Sequence, residues 1–358
     1  MLIMLGMLVG GACNTILIKI QLQTPAEDGI PFTHPFLQNA NLFFGESLCL
    51  IIYAIKRYTC AKGDVDHTQV VVEGGKLMKT QINPIWLAIP ATLDLIGSTC
   101  MGIGLTMVAA SVQQMMRSFI ILYTASMSVV FLRRKLYRHH TAALGIIFSG
   151  IFLVAVSFIQ DASKNKGQTR PLGLFFVFIA QFFTASCLIV EEKILSGHYL
   201  DPLYIVGYEG FWGLLIWLVL LPIFQQIECT GALCKYGRLE DTARAFREFR
   251  DFPILIVVAL AICVSIACFK AFGVAVTKNA SAAQRATIDS LRTILIWAFF
   301  MVVPVYGRLL ESFKTMQLIG FVVLVVGTLI FNEILVVRYF GFDRFTKRAL
   351  IKNHGIDE

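Results

Sequence analysis

The sequence predicts an all-α integral membrane protein of ten transmembrane helices arranged as two inverted five-helix repeats. Three observations carry that expectation. Of 358 residues 57% are apolar and 15% charged, with a mean hydropathy of +0.72, well above a soluble domain of this length. Apolar stretches close to the ~20 residues that a helix needs to cross a bilayer recur along almost the whole chain. A weak internal repeat relates the two halves.

The segments run over 1–20, 37–55, 84–108, 111–132, 141–159, 171–192, 202–226, 253–277, 281–305 and 315–336. The first reads as a span rather than a signal peptide, because no basic n-region precedes it and the apolar stretch exceeds the roughly 7 to 15 residues of an h-region. Hydrophilic interruptions at 21–36, 56–83, 160–170 and 227–252 are too short to hold a second domain. In the longest loop, Leu239 to Arg250 spaces Leu239, Ala243, Ala245 and Phe246 among charges, which predicts a short amphipathic helix at the interface, a lid or a spacer.

Sliding the chain along itself by 175 residues lays Arg117 on Arg292 and Gly145 on Gly320. Each half then shows a very short connection, a span with arginine near its start, a basic turn and a last span bearing glycine. The expected units are a first repeat over 1–160, a second over 171–336 and a basic cytoplasmic tail over 337–358. An odd number of spans per half makes the second copy enter the membrane in the opposite sense, a frequent build of secondary transporters.

The net charge of +8 reads as a topology signal, not as a nucleic-acid footprint. The Arg133-Arg134-Lys135 turn and the basic tail favour both termini on the cytoplasmic side. Cys13, Cys49, Cys100, Cys187, Cys263 and Cys268 fall inside spans and read as small buried hydrophobes. Cys229 and Cys234 flank a short turn in the longest loop, where a local disulfide is as compatible as free thiols.

An ionisable side chain near the bilayer centre costs roughly 2.5 to 3.5 kcal/mol on insertion scales, so each needs a partner or a wet cavity. Glu46, Asp94, Arg117, Glu209, Lys270, Arg285, Asp289 and Arg292 all fall within spans. Asp94, Glu46, Glu209, Lys270, Arg117, Asp289 and Arg292, with Gln114, are the candidate solute-binding residues; the competing reading is that the charges are interhelical salt bridges that fix packing. Arg285, Asp289 and Arg292 share one helical face and predict an Arg-Asp-Arg ladder. Ser111 and Ser281 are expected to cap the helices that follow, near Gln113, Gln114 and Gln284. Glu191-Glu192-Lys193 is expected at the membrane interface, closing span six. Gly6 and Gly10, Ser98 and Gly102, and Gly320 and Gly327 predict close helix contacts, and Pro90, Pro222 and Pro304 predict bends. The sequence contains no GxxxxGK[ST], HExxH, CxxC or GxSxG signature, so neither an enzyme nor ATP-driven pumping within the chain is expected, and no cofactor or metal is implied.

The stretches Thr33-His34-Pro35-Phe36-Leu37-Gln38, Gly45-Glu46, Asp94 with Gly97, Gln114-Met115-Met116-Arg117, Glu191-Glu192-Lys193, Glu209-Gly210, Val276-Thr277-Lys278 and Asp289-Ser290-Leu291-Arg292-Thr293 resemble the drug/metabolite transporter superfamily. More narrowly they are similar to the F subgroup of solute carrier family 35, related to nucleotide-sugar transporters. The resemblance implies ten spans in two inverted repeats, cytoplasmic termini, a central solute cavity, and residence in a lysosomal or Golgi-type endomembrane or a mitochondrial membrane. The expected function is secondary-active transport or exchange of a small polar metabolite, nucleotide-sugar-like or another organic ion, by alternating access; the alternative is a transporter-derived structural subunit of a larger membrane complex. The lipid bilayer and a small solute are the expected partners, and a second copy or another membrane protein is compatible.

Overall fold

The computed structural model describes residues 2–26, 31–60, 69–72, 76–107, 116–117, 119–133, 137–162, 171–228, 237–304 and 315–336. Ser111, Gln113, Gln114, Cys229, Cys234, Arg134, Lys135 and the tail from 337 lie outside these residues.

Eleven α-helices are described: α1 Leu2–Gln23, α2 Pro35–Cys60, α3 Ala88–Met107, α4 Phe119–Leu132, α5 Arg138–Ala162, α6 Pro171–Gly197, α7 Pro202–Gln226, α8 Thr242–Asp251, α9 Pro253–Asn279, α10 Ala282–Val302 and α11 Thr315–Phe331. Among the described residues five helical segments, Leu2–Gln23, Pro84–Gly104, Leu172–Gly197, Pro202–Gln226 and Pro253–Asn279, are long and apolar enough to cross a membrane, and Phe119–Leu132 and Leu318–Phe331 are shorter apolar helices. α10 reads as less plainly apolar because Arg285, Asp289 and Arg292 fall within it, and all three are buried in the bundle. Ile51, Ile52, Leu218, Val219, Val257 and Val264 point outward, so the surface is apolar where a soluble protein's would be charged.

The helices pack α1 with α9, α2 with α7, α3 with α6, α4 with α10 and α5 with α11. Further contacts join α1 to α10, α4 to α6, α2 to α9 and α3 to α7. Without water to satisfy them, hydroxyls inside these helices turn back on their own backbone: Thr99, Thr124 and Thr184 each donate to the carbonyl four residues earlier. Amides and hydroxyls also bridge helices, Asn39 donating to Ser98 at 2.8 Å, Asn41 to the Ala259 carbonyl at 3.1 Å, and Ser265 to Asn14 at 3.1 Å.

Small residues set the closest approaches. A Cβ on Gly45 would meet the Cys263 backbone of α9, and one on Gly210 would meet the backbone of Glu46 and Ser47 of α2. Gly6 and Gly10 lie against Phe272 and Phe269 of α9, and Gly102 against Pro35, whereas Gly327 lies against Ile147 and the Gly320 carbonyl against Gly150, both across the α5–α11 contact. Pro222 lies inside α7, Pro90 lies in the first turn of α3, and Pro304 falls beyond the end of α10, so it follows that helix rather than bending it.

The expected amphipathic helix is α8, displaced toward Thr242–Asp251 and started by Asp241, whose side chain accepts from the Arg244 N–H at 3.0 Å. It exposes Phe246 and turns Ala245 and Glu248 inward. His34 Nδ1 sits 2.6 Å from Glu240 and His34 Nε2 3.4 Å from Glu248, while Phe32 and Phe249 rings pack at 5.2 Å. α8 therefore ties down the α1–α2 connection. The 56–83 interruption holds an antiparallel pair, β1 Gln69–Val72 with β2 Lys76–Lys79, which the apolar pattern did not predict.

Candidate solute-binding site

Four of the expected site residues meet around one ammonium. Lys270 of α9 donates to Asp94 of α3 at 2.8 Å, lies 3.6 Å from Glu46 of α2 and 4.0 Å from Glu209 of α7. The side chains of Lys270, Glu46 and Glu209 are almost wholly buried, and Asp94 is 16% exposed. Neither oxygen of Glu209 nor Oε2 of Glu46 has a hydrogen-bond partner among the described residues. Buried charges ordinarily persist when paired and fully hydrogen-bonded, and this group is not: three carboxylates face one cation.

The approach of α7 to α2 that brings Glu209 beside Glu46 depends on Gly210. Replacing Gly210 with alanine is expected to force α7 and α2 apart, costing about 1 to 3 kcal/mol through overpacking. A lower thermal unfolding midpoint in detergent, with greater loss than for Gly197→Ala, whose added Cβ meets no atom, checks this.

A second group lies on the other side of α9. Arg292 Nη1 of α10 lies 3.1 Å from Asp289 Oδ1, an ion pair along one helix, and Arg117 approaches the other Asp289 oxygen at 3.9 Å. Arg292 is 1% exposed, its guanidinium stacks on the Phe269 ring at 4.6 Å, and its Nε and Nη2 have no hydrogen-bond partner among the described residues. Gly11 lets α1 close over it. Since Phe269 and Lys270 are consecutive on α9, the acidic group and the arginine group flank one short stretch of helix. Gln114 lies outside the described residues.

Two expectations are corrected here. The Arg-Asp-Arg ladder does not form, because Arg285 turns to Glu191 of α6 and to the Thr277 hydroxyl at 3.3 Å. Glu191 and Glu192 are buried among helices instead of ending the span at its surface, Glu191 paired with Arg285 and approached by the Cys187 thiol at 3.5 Å, Glu192 accepting from the Ala282 N–H at 2.9 Å. Ser281 caps α10 as expected, accepting from the Gln284 N–H at 3.1 Å, so a serine and a glutamate both serve its first turn. Adjacent acids just inside a span end were the signal available in the sequence. Of the six cysteines expected as buried hydrophobes, Cys49, Cys187 and Cys263 are buried free thiols, Cys100 is half-buried, and Cys13 and Cys268 are exposed.

A model of the nucleotide-sugar transporter family matches residues 32–236, which carries the first half of this site and its Glu209 wall. The chain belongs to the nucleotide-sugar transporter family. Likeness over most of the chain places it among the family's solute carriers: solute carrier family 35 member F6 of Homo sapiens is 33% identical, the match covering 91% of this chain and 86% of that protein. An uncharacterized protein of Schizosaccharomyces pombe is also 33% identical, over 94% of this chain and 98% of its own length. A protein of solved crystal structure, 14% identical, matches with a TM-score of 0.58 over 93% of this chain and 96% of that one, which shows a shared fold. This solute carrier is a multi-pass membrane transporter, and its family is one of transporters rather than enzymes.

Proposed function

We propose that this solute carrier is a secondary-active transporter or exchanger of a small polar metabolite, working by alternating access of two inverted five-helix halves around the Lys270 and Arg292 groups. The observation that carries it is the Lys270 cluster. If ionised, Glu46, Asp94 and Glu209 leave two negative charges unbalanced after Lys270, a demand that protons or a cationic solute group meets. The unpartnered donors of Arg292 make a matching demand for an anionic group. A fully paired interior would favour a purely structural subunit, and these groups are not fully paired.

The packing supports the two halves. Exchanging α1 to α5 for α6, α7, α9, α10 and α11 maps the most extensive contacts onto one another: α1 with α9 becomes α6 with α3, α1 with α10 becomes α6 with α4, and α2 with α9 becomes α7 with α3. Arg117 and Arg292, which the 175-residue offset superposes, converge on the same Asp289. Opposing rocking of two such halves would open the shared site to each side in turn.

A nucleotide sugar would place its phosphates toward Arg117 and Arg292; a zwitterion or an organic cation would engage the carboxylates around Lys270. Uptake by purified protein in liposomes, against labelled nucleotides, nucleotide sugars, amino acids and organic cations, tests the reading. Saturable uptake of one class is expected, with at least a tenfold loss in folded Arg292→Ala and Asp94→Asn, as removal of a buried charge contact implies. No uptake of any class, with variants that fail only in folding, overturns it in favour of a structural subunit.

A further inference from the structure

We propose that His139, His140 and Glu333 form a Zn²⁺-type transition-metal site that joins the first turn of α5 to the end of α11. The cluster lies outside the solute site and has no part in the reading above.

The chemistry suits a borderline divalent ion: two neutral imidazoles and one carboxylate. His139 Nε2 is 3.3 Å and His140 Nε2 4.0 Å from the same Glu333 oxygen, and the three donor atoms lie within 4.8 Å of one another. Tetrahedral zinc with bonds of about 2.0–2.2 Å sets its ligand atoms roughly 3.3–3.5 Å apart, so one edge is already formed and the others close by small side-chain rotations. Consecutive helical residues point about 100° apart, yet these two rings lie 4.0 Å from each other with both Nε2 atoms toward one carboxylate. Tyr137 stacks nearly parallel to His139 at 6.0 Å, and Phe331 meets the His140 ring edge-on at 5.1 Å, which hold the rings in this convergence.

Glu333 supplies a second, independent sign. It lies just past α11 with φ of 56°, the left-handed conformation that glycine or asparagine ordinarily fills at that position. A glutamate there carries a backbone cost that glycine would not. Its amide donates to the Ile330 carbonyl at 3.1 Å, and neighbouring Asn332 reaches the Thr287 hydroxyl at 2.9 Å, so the backbone that carries the carboxylate is held in place. A lone ion pair would need only one imidazole. The side chains of His140 and Glu333 are 18% and 13% exposed, which leaves a path for an ion and room for water as fourth ligand.

The test uses the full chain freed of any polyhistidine tag. Zn²⁺ titration against a chromophoric chelator is expected to give one saturable ion per chain, with a raised thermal unfolding midpoint. His140→Gln and Glu333→Gln are expected to lose both effects while eluting as the wild type does. Zinc-edge X-ray absorption of the loaded wild type, independent of how the variants fold, is expected to show nitrogen and oxygen at about 2.0–2.2 Å with imidazole scattering. No saturable site, a site unchanged in both variants, or sulfur around the zinc overturns the proposal.

Discussion

Lys270→Met is expected to lose about 3–5 kcal/mol of stability and all saturable uptake, because it leaves the Glu46, Asp94 and Glu209 carboxylates buried with no cation. The effect exceeds loss of one hydrogen bond to Asp94, since that ammonium faces acids from three helices. A compensating variant separates folding from transport. Lys270→Met with Asp94→Asn removes the 2.8 Å pair as a unit and should recover part of the unfolding midpoint, while Glu46 and Glu209 stay without a cation and uptake stays absent. If the double variant transports at the wild-type rate, the cluster serves packing alone.

Arg285→Ala is the second large effect. Arg285 and Glu191 are both buried, and the Thr277 hydroxyl completes the contact, so the alanine variant strands a carboxylate between α6 and α10 at a cost of about 3–5 kcal/mol. Arg117→Ala provides the contrast: that side chain is 29% exposed and 3.9 Å from Asp289, and its loss should cost about 1 kcal/mol or less. Chemical or thermal unfolding in detergent ranks the two. Arg285→Met combined with Glu191→Gln should recover much of the loss, and a failure to do so would mean that the arginine acts through more than this pair.

The charged residues of the site were legible in the sequence because each interrupts an apolar span, and a membrane makes such an interruption expensive. Their partners were not. The apolar run of span six fades near residue 192, which put Glu191 and Glu192 at the interface; the helix continues to Gly197, and both acids stay inside because α10 offers Arg285 and the Ala282 amide. The spacing of Arg285, Asp289 and Arg292 permitted a ladder along one helix. A buried carboxylate on the neighbouring helix drew Arg285 away instead. Likewise nothing local joins His139 and His140 to Glu333, 194 and 193 residues further on, since only the packing of α5 on α11 brings them together.

By itself the sequence determined that this is a helical membrane protein, roughly where its apolar segments lie, that a short amphipathic helix follows α7, and which charges interrupt the apolar spans. Those properties follow from hydrophobic run length and periodicity, which are local and set by the bilayer. Tertiary structure decided which charge meets which: Lys270 with three acids, Arg285 with Glu191, Arg117 with Asp289, and Arg292 with the Phe269 face. Pairing between helices depends on crossing points fixed by residues such as Gly45 and Gly210, whose backbone contacts join segments far apart in the chain and leave no periodic trace within either one.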